Sequence, residues 1–153
     1  MHILILIIQL LATSQYKSSF VNSEELLKNA AGAMNRSEYN SAVVIYTEFI
    51  AIDSTNSHGW ALRSQAFGTL EQFDDAIDDL TMAIKLDSTE KGYYLLRANM
   101  YNASSSHLNA MADQTHTIEM DSTFVSGYME RSRPKAIIGD RLGACEDIRK
   151  AMS

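Results

Sequence analysis

The sequence contains a single cysteine and a single proline among its 153 residues. Because Cys145 has no second cysteine to pair with, an internal disulfide and a zinc site built from several cysteines are excluded. We interpret Cys145 as a small, partly buried helix residue, with a bridge between two chains in an oxidising compartment as the alternative. The scarcity of proline, beside abundant Ala, Leu, Ile and Met, favours helices over sheets.

Positive charge is also scarce. Lysine and arginine number 13 against 19 aspartates and glutamates, which gives a formal net charge of −6. The chain has no basic stripe, and its pI near 5.1 opposes binding to a phosphate backbone. We therefore expect no nucleic-acid partner. A content of 46% hydrophobic and 21% charged residues is typical of a globular chain with a sizeable core rather than of a disordered one.

The sequence patterns of catalysis and of cofactor binding are missing. No glycine-rich phosphate loop occurs, and no nucleophile stands in a recognisable pattern with a base. His107 and His116 lack the accompanying carboxylates of a metal site, and we interpret both as surface residues. We expect a chain without enzymatic activity, cofactor, metal or small-molecule substrate.

The segment FDDAIDDL brings four aspartates together at the start of a predicted helix. They are Asp74, Asp75, Asp78 and Asp79. Negative charge near a helix N-terminus is favourable through the helix dipole. A weak calcium site is the alternative, but the glycine-bearing loop expected of one is missing. We prefer the interpretation as a helix start.

The first residues, MHILILIIQLLATSQ, form an apolar run too short to span a membrane. Its length suits a secretory signal, and the small residues that follow it suit cleavage after Ser14. We predict a signal peptide over residues 1–14 and a short linker over 15–22. Because no Lys or Arg precedes the run, a short buried N-terminal helix and a start within a longer gene remain alternatives.

The tripeptide DST recurs at an interval of 34 residues, beginning at Asp53, Asp87 and Asp121. Other columns share this interval, and one of them reads Ala42, Ala76, Ala110 and Ala144. A second column is small throughout (Ala30, Ser64, Ala98, Ser132) and a third is bulky (Leu26, Trp60, Tyr94, Tyr128). Bulky, small and apolar residues at i, i+4 and i+7 share one helix face. Each unit is therefore predicted to be a pair of packed helices, with DST closing the second helix and capping the next one.

These columns resemble the tetratricopeptide repeat (TPR) family over roughly residues 22–153. Residues 57–88 carry its pattern most closely, through Trp60, Ser64, Phe67, Phe73, Ala76, Ala83 and Asp87. The resemblance implies an all-α, right-handed superhelical solenoid of antiparallel helix pairs. We expect one domain over 23–153, with units at 23–56, 57–90, 91–124 and 125–153. Gln114 replaces a bulky apolar residue of the pattern, so the third unit should pack more loosely.

Charged columns and one proline modify this pattern. Arg63, Arg97 and Arg131 each precede an aspartate by sixteen residues (Asp79, Asp113, Asp147). We predict one partly exposed ion pair per unit, with a charged ligand on the arginines as the alternative. Pro134 falls within a predicted helix and should kink it or end it early.

The resemblance implies that the first helix of each unit lines a concave groove. Its lining positions are Glu24, Leu27, Ala31, His58, Ala61, Gln65, Gly92, Leu95, Asn99, Ser126, Met129 and Arg133. We expect Gln65, Leu95, Asn99, Met129 and Arg133 to contact a peptide or helix segment of another protein. The family's clamp for chaperone C-termini needs polar or basic residues where Leu27, Ala31 and Leu95 stand, which disfavours that partner.

We therefore expect a non-catalytic protein–protein interaction scaffold that is exported to the periplasm or associated with the cell envelope. A cytoplasmic location is the alternative if residues 1–14 are not a signal. The alternative function is a structural subunit of a larger envelope assembly, or a homodimer, that docks through the C-terminal face.

Overall fold

A computed structural model describes residues 23–153 of the chain. The predicted signal peptide and linker, residues 1–14 and 15–22, lie outside this range. The described residues form helices and connecting turns, with no strand among them. The helices are α1 (23–35), α2 (Tyr39–Ile52), α3 (Ser57–Thr69), α4 (Phe73–Leu86), α5 (Lys91–Ala103), α6 (His107–Met120), α7 (Val125–Ile137) and α8 (Arg141–Ala151).

Successive helices pack against one another along the chain. Between α2 and α8, each helix packs against the next one along the chain. Helices α3, α5 and α7 begin at Ser57, Lys91 and Val125, which are 34 residues apart. A helix pair of this size cannot bury its apolar face alone, and each core cluster is shared between neighbouring pairs. None of these described helices combines the length and the hydropathy needed to cross a membrane.

The small residues of the repeat are buried between the helices. Ala42, Ala76 and Ala110 are completely buried, and Ala144 is nearly so. Larger side chains fill the space beside them: Tyr46 packs into the core between the first two pairs. The small and bulky columns therefore have a common explanation, since close helix axes need small side chains and the neighbouring space needs large ones.

The DST tripeptide shapes the turn between pairs, but it does not cap the next helix as predicted. In the first copy, Asp53 ends α2 and its Oδ1 accepts hydrogen bonds from the backbone N–H and the hydroxyl of Thr55. The carbonyl of Ser54 accepts a hydrogen bond from Trp60 Nε1 at 3.0 Å. The capping side chain of α3 belongs instead to Asn56, the residue after the tripeptide. An aspartate that bonds two residues ahead forms a turn of its own and cannot reach the helix.

The turns within pairs share a strained residue at the same 34-residue interval. Ser37, Glu71 and Ser105 have φ between 59° and 64°, and Gly139 has φ of 93°. Only glycine adopts this left-handed conformation without a steric cost. The same turn is therefore repeated four times, and only the last copy has the residue best suited to it.

Pro134 does not end its helix early, which was one of the two predicted effects, and the predicted kink stays a prediction. Helix α7 continues past it to Ile137, and it has the same 13 residues as α3 and α5. Pro134 removes one backbone hydrogen bond within α7, and it is itself buried. Packing against the neighbouring helices outweighs that loss.

Gln114 in α6 is the polar residue behind the predicted loose packing of the third unit. Its side chain is 1% exposed, and neither its Nε2 nor its Oε1 has a hydrogen-bond partner within residues 23–153. Leu80 occupies the equivalent position in α4 and is completely buried. A buried amide without partners keeps the cost of its desolvation, so this position weakens the core.

We predict that Gln114→Leu raises the free energy of unfolding by about 1–3 kcal/mol, the usual cost of a buried unsatisfied polar group. Chemical denaturation followed by circular dichroism measures the change. Gln65→Leu is the matched control, because Gln65 is exposed and its replacement should leave stability unchanged. A loss of stability in Gln114→Leu would show that the amide has a partner, such as a bound water, that leucine displaces.

Candidate functional site

The predicted contact residues differ in their exposure to solvent. Gln65, Asn99, Met129 and Arg133 are exposed, and Leu95 is half-buried. Ala61, another position that the resemblance placed in the groove, is buried in the core. The predicted lining is therefore accessible mainly through its polar members and Met129.

Two of the predicted residues, Asn99 and Arg133, line the same cavity. It has a volume of about 200 Å³ and lies between α5 and α7. Its lining comprises Asn99, Asn102, His107, Glu130, Arg133, Pro134 and Ile137. Gln65, Leu95 and Met129 are not part of it. The structure thus brings together two of the five predicted contact residues in one concave site.

This cavity offers both hydrogen-bond donors and acceptors beside an apolar side chain. Arg133 Nη1 lies 3.6 Å from Glu130 Oε2, so its guanidinium is only loosely held and can donate to a ligand. His107 Nδ1 lies 3.3 Å from Asn102 Oδ1. Ile137 supplies an exposed apolar side chain. Such a lining suits a peptide segment, whose backbone needs donors and acceptors and whose side chains need apolar contacts.

The remaining cavity residues were not predicted from the sequence, although their spacing contained a signal. Asn102 and Ile137 follow Asn99 and Arg133 by three and four residues, so each pair shares a helix face. The groove positions implied by the resemblance stop one turn before them. His107, interpreted as a surface residue, is half-buried and lines this cavity at the start of α6.

A second cavity of about 350 Å³ adjoins the first at His107. It is lined by Ser105, Ser106, His107, Leu108, Asn109 and Ile138. Leu108 and Ile138 are exposed apolar side chains. Because His107 lines both cavities, they form one continuous surface from the groove to the turn between α5 and α6.

The predicted ion pairs are confirmed, and they are more buried than expected. Arg97 donates from Nε and Nη2 to the two carboxylate oxygens of Asp113, both at 2.8 Å. The three paired aspartate side chains are only 4–8% exposed. The fork geometry of two parallel hydrogen bonds makes each pair a strong and directional contact.

A threonine column, missed in the sequence, extends each ion pair to the preceding helix pair. Arg97 Nη1 donates to Thr81 Oγ1 at 3.0 Å, and Thr81 donates to the carbonyl of Ile77. Thr47 and Thr115 receive the same contact from Arg63 and Arg131. Each arginine therefore uses all three nitrogens within the protein, which opposes the alternative of a ligand on this column.

Ionisation of these groups follows from their surroundings. Hydrogen bonding to the paired carboxylates raises the pKa of Arg97 and of Arg131. Burial raises the pKa of Asp79, with Arg63 opposing it and Asp75 and Asp78 adding to it. Burial also disfavours the charged form of Asp147, but hydrogen bonds from Arg131 and Lys135 outweigh it and lower its pKa. The fourth pair thus differs from the second through an additional cation.

Metal chemistry finds no support in the part of the chain that the structure describes. Residues 23–153 contain no group of three or more His, Cys, Asp or Glu placed to hold an ion. The four aspartates at the start of α4 are thus not arranged as a metal site.

The paired helices, their 34-residue interval and the concave site define a TPR-like solenoid, and comparison with solved structures confirms this fold. A crystal structure of MamA is 24% identical, with a TM-score of 0.81 over 86% of this chain and 77% of that one. The Arabidopsis OM64 TPR domain is 24% identical, with a TM-score of 0.72 over 78% of this chain and 98% of that one.

A third structure, the first TPR of Spaghetti (RPAP3) bound to the HSP90 peptide SRMEEVD, is 19% identical. Its TM-score is 0.72 over 76% of this chain and 93% of that one. No protein-family model matches the sequence, and no curated protein matches it either. At these identities the comparisons establish the fold.

We predict that Arg97→Met lowers the free energy of unfolding by about 3–5 kcal/mol, because it leaves the buried Asp113 without its countercharge. Urea denaturation measures the change. Arg97→Met with Asp113→Leu should recover most of the loss, since the unpaired charge is then gone. Arg36→Met is the control, because the ion pair of Arg36 with Glu38 is exposed and its loss should not be measurable. An Arg97→Met variant as stable as this control would contradict the role of the pair.

Proposed function

We propose that the chain is a non-catalytic scaffold that binds a peptide or helix segment of another protein in its concave groove. The observation that carries this proposal is the cavity between α5 and α7, where Asn99 and Arg133 lie beside an exposed Ile137. Gln65, Leu95 and Met129 would contact the ligand outside this cavity. The peptide-bound TPR of Spaghetti (RPAP3) supports this mode of binding by analogy of fold.

The chemistry of the cavity favours a segment with an apolar anchor and a flanking carbonyl or carboxylate. The anchor would pack on Ile137, and Arg133 and Asn99 would donate to the oxygens beside it. An acidic chaperone C-terminus is disfavoured, because Leu27, Ala31 and Leu95 stand at the places where that clamp needs polar or basic residues.

Export to the periplasm or the cell envelope is the location that we propose. The apolar run from Ile3 to Ala12 and the small residues after it support this proposal. If residues 1–14 are not a signal, the scaffold acts in the cytoplasm, and the groove chemistry is unchanged.

A second candidate function is that of a structural subunit or homodimer that docks through α8. Leu142 and Met152 are each 82% exposed, and Ile148 is also exposed on this helix. Cys145, which we expected to be partly buried, is exposed there too. Exposed apolar side chains grouped on one helix are typical of an interface.

We predict that Asn99→Ala with Arg133→Ala abolishes capture of the partner by the tagged chain from its native cell fraction. Binding of the partner's segment, measured by calorimetry with purified proteins, should weaken about tenfold or more for each substitution at the centre of the site.

The matched control is Glu48→Ala with Lys85→Ala, which changes two exposed residues on the second helices of their pairs. Both variants must keep the wild-type helical content. If the groove variant retains the same partner, the groove assignment is wrong. In that case the molecular mass in solution is measured at several protein concentrations. A mass that increases with concentration in the wild type, and that stays at the monomer value in Leu142→Glu, would identify the α8 interface.

A further inference from the structure

A third cavity lies on the side of α3 that faces away from the groove positions. It has a volume of about 310 Å³ and is bounded by α3 and α4. Its lining comprises Trp60, Arg63, Phe67, Asp75, Asp78, Asp79 and Met82. Trp60, Arg63 and Phe67 lie at i, i+3 and i+7 and so share one helix face, whereas Gln65 belongs to another. This cavity is separate from the proposed peptide site.

Negative charge in this cavity exceeds the positive charge. Arg63 is engaged by Asp79 in a bidentate pair at 2.7–2.8 Å and by Thr47 at 3.0 Å. Asp75 and Asp78 are exposed and have no ion-pair partner within the described part of the chain. Three carboxylates therefore face a single guanidinium, and two of them are free to bind a cation.

Aromatic rings form the other walls of the cavity. The Cζ of Arg63 lies 5.1 Å from the ring centroid of Trp60 and 5.6 Å from that of Phe67. The indole is fixed by its hydrogen bond to the carbonyl of Ser54. Aromatic faces attract cations, and they do so more strongly where water is partly excluded. Rings and carboxylates together thus select for positive charge.

In the fourth helix pair, lysine side chains occupy the position that corresponds to this cavity. Lys135 stands where the second pair has Phe67, and its Nζ lies 2.9 Å from Asp147 Oδ2 and 3.4 Å from the carbonyl oxygen of Gly143. Lys150 stands where the second pair has Met82, and its Nζ lies 5.8 Å from the ring centroid of Tyr128. The fold therefore places two ammonium groups in this position of the fourth pair.

In the third pair, a histidine occupies the position that corresponds to this cavity. His116 stands at the position of Met82, and its ring lies 4.4 Å from that of Tyr94. The carboxylates of Asp75 and Asp78 are replaced there by Asn109 and Ala112. In the second pair, by contrast, the cavity is lined by Asp75 and Asp78, for which the described residues supply no ion-pair partner.

We propose that the cavity between α3 and α4 binds an ammonium group, namely the side chain of a lysine on a partner protein. The carboxylates of Asp75 and Asp78 would accept hydrogen bonds from the ammonium, and Trp60 and Phe67 would contact its alkyl stem. The lysines of the fourth pair are the internal precedent for this ligand. The ammonium would act on Asp79 as Lys135 acts on Asp147, offsetting the like charges around it.

A metal ion fits this cavity less well than an ammonium group does. Asp79 is already committed to Arg63, which leaves two carboxylates, and the described residues contain no set of ligands placed to hold a metal. An ammonium group needs only hydrogen-bond acceptors on one side and can rest on aromatic rings on the other.

Trp60 is the only tryptophan of the chain and reports directly on this cavity. We predict a saturable change in its fluorescence when the full chain is titrated with a short peptide that contains one lysine. The same peptide with norleucine in place of the lysine should give no saturable change, because it retains the alkyl stem and lacks the ammonium group. Both peptides have an acetylated N-terminus and an amidated C-terminus. Ionic strength is held constant with sodium chloride.

Three variants make this test specific. Asp75→Asn with Asp78→Asn should weaken binding about tenfold or more through loss of charge-assisted hydrogen bonds. Asp74→Asn is the matched control, because Asp74 is acidic and lies in the same first turn of α4 without lining the cavity, and it should bind as the wild type does. Phe67→Lys should compete with the peptide by supplying the ammonium within the chain, as Lys135 does.

The results separate a lysine side chain from other sources of positive charge. Equal responses to the lysine and norleucine peptides, or equal binding by the Asp75/Asp78 variant and the Asp74 control, would overturn the site. A free diamine such as putrescine that binds more than about tenfold tighter than the peptide would overturn the assignment to a partner protein. A circular dichroism spectrum that matches that of the wild type confirms that each variant is folded.

Discussion

The arginine that bridges three consecutive helices is the contact on which the solenoid depends. Arg63 joins Thr47 of α2 to Asp79 of α4, and Arg97 continues from Thr81 of α4 to Asp113 of α6. Helix α4 thus contributes an aspartate to one network and a threonine to the next, two residues apart. Because the aspartates are buried, their charge is tolerable only while the arginine stays in place. The network therefore fixes how far each pair is rotated against its neighbour, which apolar packing alone would leave less specific.

Once this framework is fixed, the remaining positions are free to differ between pairs. The position of Leu80 is apolar in the second pair and becomes the unsatisfied Gln114 in the third. The position of Phe67 becomes Lys135 in the fourth, where it binds Asp147. Despite these changes, the turns within pairs keep a residue of positive φ at the same interval. The repeat thus supplies one backbone geometry. Substitutions at equivalent positions determine how stable the core of each pair is, and whether the cavity between its two helices is open or occupied by a lysine.

The sequence predicted the fold because its periodic columns report directly on buried contacts, such as those of Ala42 and Ala76. It also predicted the pairing of Arg97 with Asp113, since opposite charges at a fixed spacing recur with the unit. The prediction that DST caps the next helix was wrong. Asp53 and Asn56 both have side chains that can accept from backbone N–H groups near the helix start, and their spacing alone does not decide which of them is the cap. The cavity at Asn99 was predicted only in part. Its other residues come from the start of α6 and the last turn of α7, and their proximity depends on how the helices cross.

The two proposed binding places lie on different faces of the first helices, and this separation makes them independent of each other. In α3, Trp60 and Phe67 line the cavity at α4, whereas Gln65, which is proposed to contact the peptide, does not. A ligand on one face does not obstruct a ligand on the other. Arg63 connects the cavity to the preceding pair, because its guanidinium lies against Trp60 and reaches back to Thr47. In the fourth pair, Arg131 keeps both hydrogen bonds to Asp147, at 2.9 and 2.7 Å, although Lys135 binds the same carboxylate at 2.9 Å. An ammonium group in the cavity would therefore leave the contact between Arg63 and Asp79 in place, and the two sites would bind their ligands independently.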